Sequence, residues 1–380
     1  GTNILNNGVI NVNSGMLALH NGGYSTGTVN IAGNATLQVT NGVASFTSGA
    51  IRNDGELLAS GGGYIVIDQA AAYSGQGLLR AVNTGQISFL GSIQTDALQI
   101  DRGTITAGAS MDVNSIDLSG GTLGGTGITH VNTAMHIGCG GGGTTRTLNL
   151  NGTTTWAACN NNSFAITHVN LAAGATFLDA GAGTTNGART LRGSAFDTTF
   201  NNAGTYERNG LGTTILDSSV QNTGAILVNG GTLILKQPIS LYKTGTSTGL
   251  IRVASGATLQ IEGGAFSMDS GTLNNDGSLT ISGGAITTLG PDVAYTGRGT
   301  IEVASAGVFN SKRTESLTTD RLVSQGGTAR FSGAVETRSL EVSGGRGVGS
   351  AVSITADSLQ WAGGILGSSD QAGGITTVNG

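Results

Sequence analysis

GLIRVASGATLQI, from Gly249 to Ile261, has an earlier counterpart in the chain, GTVNIAGNATLQV from Gly27 to Val39. Apolar residues stand at the second and fourth positions after the leading Gly: Val29 and Ile31 in one copy, Ile251 and Val253 in the other. They return at the tenth and twelfth: Leu37 and Val39, Leu259 and Ile261. Alternation of apolar and polar residues is the signature of a strand with one buried face. Each copy therefore reads as two short strands joined by a tight turn at a small residue. The frame recurs at Gly77 (Leu79, Ala81, Ile87, Phe89) and at Gly299 (Ile301, Val303, Phe309), and more loosely as HVNLAAGATFLD from His168 to Asp179. Repetition of one strand–turn–strand unit points to a solenoid.

A second unit places Asn-x-Gly ahead of a strand. Its copies are ILNNGVINV from Ile4, IRNDGELLA from Ile51, FNNAGTYER from Phe200, VQNTGAILV from Val220 and LNNDGSLTI from Leu273. We read these as turns in which Gly supplies positive φ and Asn tolerates it. Further on, SIDLSGGTLGG from Ser115 is matched by SLEVSGGRGVG from Ser339, with SLQWAGGILGS following from Ser358. Residues from about 4 to 145 thus match residues from about 220 to 369, and the region from about 145 to 199 is seen once. Ile128 is placed on Val352 and Ile137 on Trp361.

The expected fold is all-β, a right-handed parallel β-helix (β-solenoid) with about 23 residues per coil and a superimposed repeat of about 222 residues. The chain, 1–380, reads as one continuous solenoid, cut from a longer or processed protein because it lacks a start Met and a signal peptide. High Gly content, 67 residues, suggests disorder by itself, but the regular placement of apolar residues and a mean hydropathy of +0.09 argue for a packed core. The formal charge of −5, with only three Lys, offers no basic face for nucleic acid. No apolar run reaches the roughly 18 residues needed for a membrane-spanning helix. Neutral Thr, Asn and Ser suit a stack in which like charges one strand spacing apart would repel.

The NxG–strand–GG–strand units, such as NTGAILVNGGTLIL from Asn222 to Leu235, together with GATLQI, resemble the β-helical stalk repeats of large secreted bacterial surface proteins. These are the filamentous-haemagglutinin-like and autotransporter-passenger proteins. The resemblance covers nearly all of the chain and implies architecture more than activity, because such stalks serve adhesion, biofilm, toxin delivery and filament building.

Candidate chemistry is sparse. The interval from Cys139 to Cys159 is close to one coil, and the two are expected to form a disulfide in an oxidising, extracellular compartment. His130, His136, Cys139, Cys159 and His168 are metal-type ligands in a spacing that fits no metal motif, and no cofactor is expected. A polysaccharide-active β-helix needs clustered carboxylates or a carboxylate beside a base; Asp112 with Asp117, Asp96 with Asp101, and Glu207 with Arg208 are the densest options. Trp156 and Trp361 are the available sugar platforms. Lys312, Arg313 and Glu315 read as a solvated loop that interrupts the repeat. Asn34, Asn151 and Asn161 open glycosylation sequons that an Asn- and Thr-rich chain generates by chance. Thr153 to Thr155 does not recur as an ice-binding ladder would require. Polar residues at outward positions recur instead: Thr36 and Gln38, then Thr258 and Gln260. The expected function is a non-enzymatic extracellular structural stalk or adhesin, with assembly into a fibre as one expected form. It would bind side-on and multivalently to a polymeric or glycan surface or to copies of itself, without nucleic acid or membrane insertion. The alternative is a polysaccharide-active lyase or glycoside hydrolase.

Overall fold

The computed structural model describes residues 4–160, 162–193, 198–236, 244–345, 347–367 and 374–379. The chain forms two compact units, Gly1–Ala157 with Asn162–Ala175, and Ala158–Asn161 with Thr176–Gly380. Each is a parallel β-solenoid, and the described residues contain no helix.

In unit 1 a coil has three strands joined by corners. Thr28–Ile31, Ala35–Thr40 and Val43–Phe46 form one coil, and Ala50–Asn53, Glu56–Ser60 and Tyr64–Ile67 form the next. Every strand of the first pairs in parallel with its counterpart in the second, so Val29 lies on Ile51, Leu37 on Leu57 and Ala44 on Ile65. The corner of the GTVNIAGNATLQV stretch closes by a hydrogen bond from Ala35 N to Ala32 O (2.9 Å). Its copy closes from Ala257 N to Ala254 O at the same distance. Val29, Ile31, Leu37, Val39, Ile251, Val253, Leu259 and Ile261 are all buried at 2% exposure or less, which is the inward set that alternation marks.

Coils are shorter than expected and stack about 21 residues apart. They are also uneven: the step from Leu57 to its partner Leu79 is longer than the step from Leu98 to its partner Ile116. The shortening has a visible cause. Up to Ala72–Ser74 and Leu78–Val82, two strands flank a corner; beyond them Ile93–Asp101 and Met111–Leu118 are single long strands that need no corner. Unit 2 makes the same change, with Leu317–Gln325 and Val335–Ser343 as the long strands and Leu322 lying on Leu340 across an equally short step.

The duplication is therefore strand for strand. Strands Ala72–Ser74 and Leu78–Val82 recur as Ala294–Thr296 and Thr300–Ala304. Ile93–Asp101 and Met111–Leu118 recur at Leu317–Gln325 and from Val335. One difference is a bulge: opposite Val113 and Ser115, unit 1 places Val131 and Ala134, whereas unit 2 runs without a break from Ala356 to Ser358. That extra residue puts Ile128 level with Ser353 rather than Val352. The once-seen region also coils: His168–Leu171 lies on Thr147–Leu150 in unit 1, and Thr176–Asp179 lies on Thr205–Arg208 in unit 2.

The Asn-x-Gly units work differently from the turn reading. None of Gly8, Gly55, Gly204, Gly224 and Gly277 has positive φ, nor has the Asn of its unit. Three of the glycines are needed for closeness: a Cβ on Gly55, Gly224 or Gly277 would fall inside contact distance of Ala32 O, Gly204 O or Ala254 O, whereas Gly8 has open space around it. The asparagines Asn6, Asn53, Asn202, Asn222 and Asn275 are buried. Each donates from Nδ2 to the carbonyl that opens a strand in the next coil, as Asn202 does to Ala225 O (2.8 Å) and Asn275 to Thr300 O (2.9 Å).

Candidate functional site

Coil length decides which side chains meet. In unit 1, the short coils set Gln94 beside Asp112 and Asp112 beside His130, in register on adjacent strands. Asp96 and Asp112 thereby share one surface groove of about 280 Å³, which Gln76, Gln94, Asn114 and Asn132 also line. Asn114 Nδ2 donates to Asp96 Oδ1 (2.7 Å) and Asn132 Nδ2 to Asp112 Oδ1 (2.6 Å). Carboxylates placed diagonally on neighbouring strands have Cα atoms roughly 7–8 Å apart. The pairs expected from spacing, Asp112 with Asp117 and Asp96 with Asp101, instead lie along single strands, roughly 17 Å apart at about 3.3 Å per residue.

A second groove, of about 420 Å³, lies beside Asp68, Gln69, Leu90, Gly91 and Ser92, and Tyr73 borders both grooves. Burial pushes the Tyr73 phenol above its ordinary value, against hydrogen bonds from Asn53 and Thr95 that favour the phenolate. The equivalent Tyr295 is raised by burial too, opposed by Asn275, Thr319 and Arg313.

Glu207 and Arg208 do not form an outward pair. Strand alternation turns Arg208 fully inward, while Glu207 stays on the outer face and accepts from Asn229 Nδ2 (3.1 Å). Arg208 joins a buried cluster with Asp179, Arg189 and Tyr206. Asp179 Oδ2 accepts from Tyr206 Oη (2.6 Å) and faces Arg208 Nε at 3.6 Å, and Asp179 Oδ1 ion-pairs with Arg189. Arg208 Nη2 also donates to Leu211 O and Gly212 O (2.7 and 2.8 Å). Phe177 and Phe200 wall in the Tyr206 ring. Burial lowers the Arg208 pKa and lowers that of Arg189 to about 10, and it raises that of Tyr206. One carboxylate thus faces two guanidiniums, and all four side chains of the cluster are buried.

Arg146 is a third buried cation, at a position where nothing in the alternation marks a charge as inward. Its guanidinium fans into carbonyls of two successive coils, Ala107 and Ala109, then Thr126 and Ile128, and Nε donates to Thr129 Oγ1 (2.8 Å). Burial lowers its pKa to about 10. Lys312 and Glu315 are exposed, as expected of a solvated loop, but Arg313 is buried at 4% exposure and pairs with Glu315 at 3.1 Å.

Trp156 is fully buried and offers no sugar platform, whereas Trp361 is exposed. His136 lies in register with Asp117 and Thr155, and His168 with Thr147. Among the described residues no group of three or more His, Cys, Asp or Glu converges on a metal position. Cys139 and Cys159 are both disulfide-bonded. Asn34 and Asn151 are exposed, and Asn161 lies outside the described residues. Thr154 points inward between Thr153 and Thr155, so the three do not form one outward row.

Thr36, Gln38, Thr258 and Gln260 are half-buried on the outer face. Gln38 Nε2 donates to Ser60 Oγ (2.8 Å) and Gln260 Nε2 to Ser282 Oγ (2.9 Å), so both copies carry the same inter-coil rung. Thr36 Oγ1 donates to Glu56 Oε2 (3.0 Å).

No protein-family model matches the chain, and no curated protein or solved structure matches it.

Proposed function

We propose that the chain is a non-enzymatic extracellular structural stalk or adhesin that binds side-on through two copies of one module. The observation that carries this reading is the strand-for-strand duplication, which repeats the outer face down to the Gln38–Ser60 and Gln260–Ser282 rungs. A weak contact offered twice by one molecule gains strength through effective concentration. Disulfide-bonded cysteines favour an oxidising compartment. Non-reducing peptide mapping is expected to find Cys139 joined to Cys159. Native protein that alkylates freely at both thiols would count against an extracellular location.

The functional test is attachment of the full chain to glycan- and polymer-coated surfaces, with light scattering for bundling. Gln38→Lys and Gln260→Lys are expected to weaken attachment modestly alone and more than tenfold together. Ser60→Ala with Ser282→Ala controls for loss of the rung itself. A double Lys variant that attaches like the wild type would make the repeated face a relic of duplication.

A polysaccharide-active β-helix is the second reading, and the Asp96–Asp112 groove is what favours it. Release of reducing ends or unsaturated products from a polysaccharide panel, lost in Asp96→Asn, would replace the stalk reading.

A further inference from the structure

The grooves beside Tyr73 in unit 1 can be compared, position by position, with their duplicates in unit 2. The strands on either side of Gln76 recur on either side of Arg298, so the two residues correspond. Gly91, just beyond Gln86–Phe89, corresponds to Arg313, at the same place beyond Val308–Ser311. A short insertion then precedes Leu317, after which Asp96 corresponds to Asp320, Asp112 to Glu336 and Asn114 to Arg338. Unit 2 thus carries arginine at three positions where unit 1 has Gln, Gly and Asn.

Those arginines show what the shared carboxylate position holds. Asp320 Oδ1 lies between Arg298 Nε at 3.4 Å and Arg338 Nε at 3.5 Å. The matching Asp96 keeps its carboxylate, hydrogen-bonded among the described residues by Asn114 alone. Asp112 on the next coil and Asp68 in the adjoining groove add two more, bonded by Asn132 Nδ2 and Ala70 N. Among the described residues, none of the three has an ion-pair partner, and no Arg or Lys lines either groove.

We infer that the unit 1 groove binds an arginine side chain presented by a partner polypeptide, in the place that unit 2 fills from its own chain. The chemistry fits. A guanidinium is planar and always charged, offers five N–H donors, and pairs with carboxylates in a fixed geometry. Asp96 and Asp112 supply the anions, Tyr73 supplies an aromatic wall suited to a guanidinium face, and Asn114 has its carbonyl oxygen left to accept. Calcium is a poorer match, because it needs six to eight oxygens and several carboxylates, and no cluster of three acidic groups converges here among the described residues. The repeated Gln38 and Gln260 face plays no part in this binding.

The test uses the full chain and acetyl-Gly-Arg-Gly-amide, titrated by calorimetry at low ionic strength, where a solvated ion pair is least screened. The citrulline peptide, neutral and of the same shape, is the control. The arginine peptide is expected to bind at one site, and citrulline at least tenfold more weakly. Asp96→Asn with Asp112→Asn should weaken arginine binding at least tenfold. Gln76→Arg with Asn114→Arg, which installs the unit 2 arrangement, should abolish it without lowering the thermal midpoint. Arg298→Gln with Arg338→Asn should open a second site and double the stoichiometry. Arginine binding that survives Gln76→Arg with Asn114→Arg overturns the inference. So does absence of binding by the wild type, or calcium binding that Asp96→Asn removes while the peptide does nothing. If the chain self-associates in sedimentation and the arginine peptide, but not citrulline, disperses it, the groove is confirmed and the partner is a second copy.

Discussion

Asp179, Tyr206 and Arg208 sit at inward strand positions where Val228, Val253 and other apolar residues stand in neighbouring coils. A charged side chain at such a position survives only when its partners come inside with it. Here the Tyr206 hydroxyl donates to Asp179 (2.6 Å), and two guanidiniums face the same carboxylate. Tyr206→Phe is expected to cost about 1–3 kcal/mol at neutral pH, because it strips a donor from a buried anion. It should also flatten the alkaline limb of the stability curve. The folded-state pKa of Tyr206 is raised above its ordinary 10.0, so the folded protein keeps a proton that the unfolded chain gives up. That contribution is fully present below pH 10 and is lost as pH rises above it. Urea midpoints should therefore fall further between mildly and strongly alkaline buffer for the wild type than for Tyr206→Phe. Parallel falls would mean that the hydroxyl is not the alkaline trigger. The sequence does not mark this cluster, because period-2 reading assigns charged residues outward by default, and only the stacking of Asp179 on Arg208 reveals the exception.

At the scale of strands and corners, most of the fold is legible in the sequence. Apolar alternation identifies which residues point in, and the duplicated frames show that coils stack. Coil length is not legible, because a corner can shrink to a single slip of parity with no Gly to mark it: in Ile93–Asp101 the inward residues are Ile93 and Thr95, then Leu98 and Ile100. That one difference hides the groove. Coils of the expected length would leave Asp112 well short of Asp96, whereas the short ones bring them together. The corner glycines are recognisable, but for two reasons: Gly256 has positive φ and open space around it, whereas others are held by contact. They form a column in which Gly204, Gly224, Gly249 and Gly271 follow one another, and from Gly224 onward each lies too close to the preceding backbone carbonyl for a side chain. Gly249→Ala is expected to destabilise by about 1–3 kcal/mol, since the obstruction is backbone and cannot rotate away. Gly8→Ala is the matched control: it too immediately precedes a strand, lacks positive φ and has nothing within 4 Å of its Cβ position. Chemical denaturation should separate the two variants. Equal losses would mean that the column acts through unfolded-chain entropy rather than contact.

At the scale of the whole molecule, nearly every pairing joins a strand to the strand one coil before or after it. Stability in such a chain is close to a sum over neighbouring coils. A local injury should therefore stay local, unlike in a globular core where one defect lowers the whole. Val253→Asp is the sharpest probe. Val253 is fully buried and lies between Val228 and Asn275 in register, with no cation beside it on either strand position, so the new carboxylate would have to be desolvated without a partner. Hydrogen exchange followed by mass spectrometry should show protection lost first in Leu250–Val253 and in the strands stacked on it, Ala225–Val228 and Thr272–Asn275. The long strands of unit 1, Ile93–Asp101 and Met111–Leu118, should keep wild-type protection. The matching change in unit 1, Ile31→Asp, should reverse the pattern, opening Val9–Val12 and Ala50–Asn53 while Leu250–Val253 stays closed. Loss of protection spread evenly over both units by either variant would mean that the coils melt as one cooperative body, and the nearest-neighbour account of this solenoid would have to be given up.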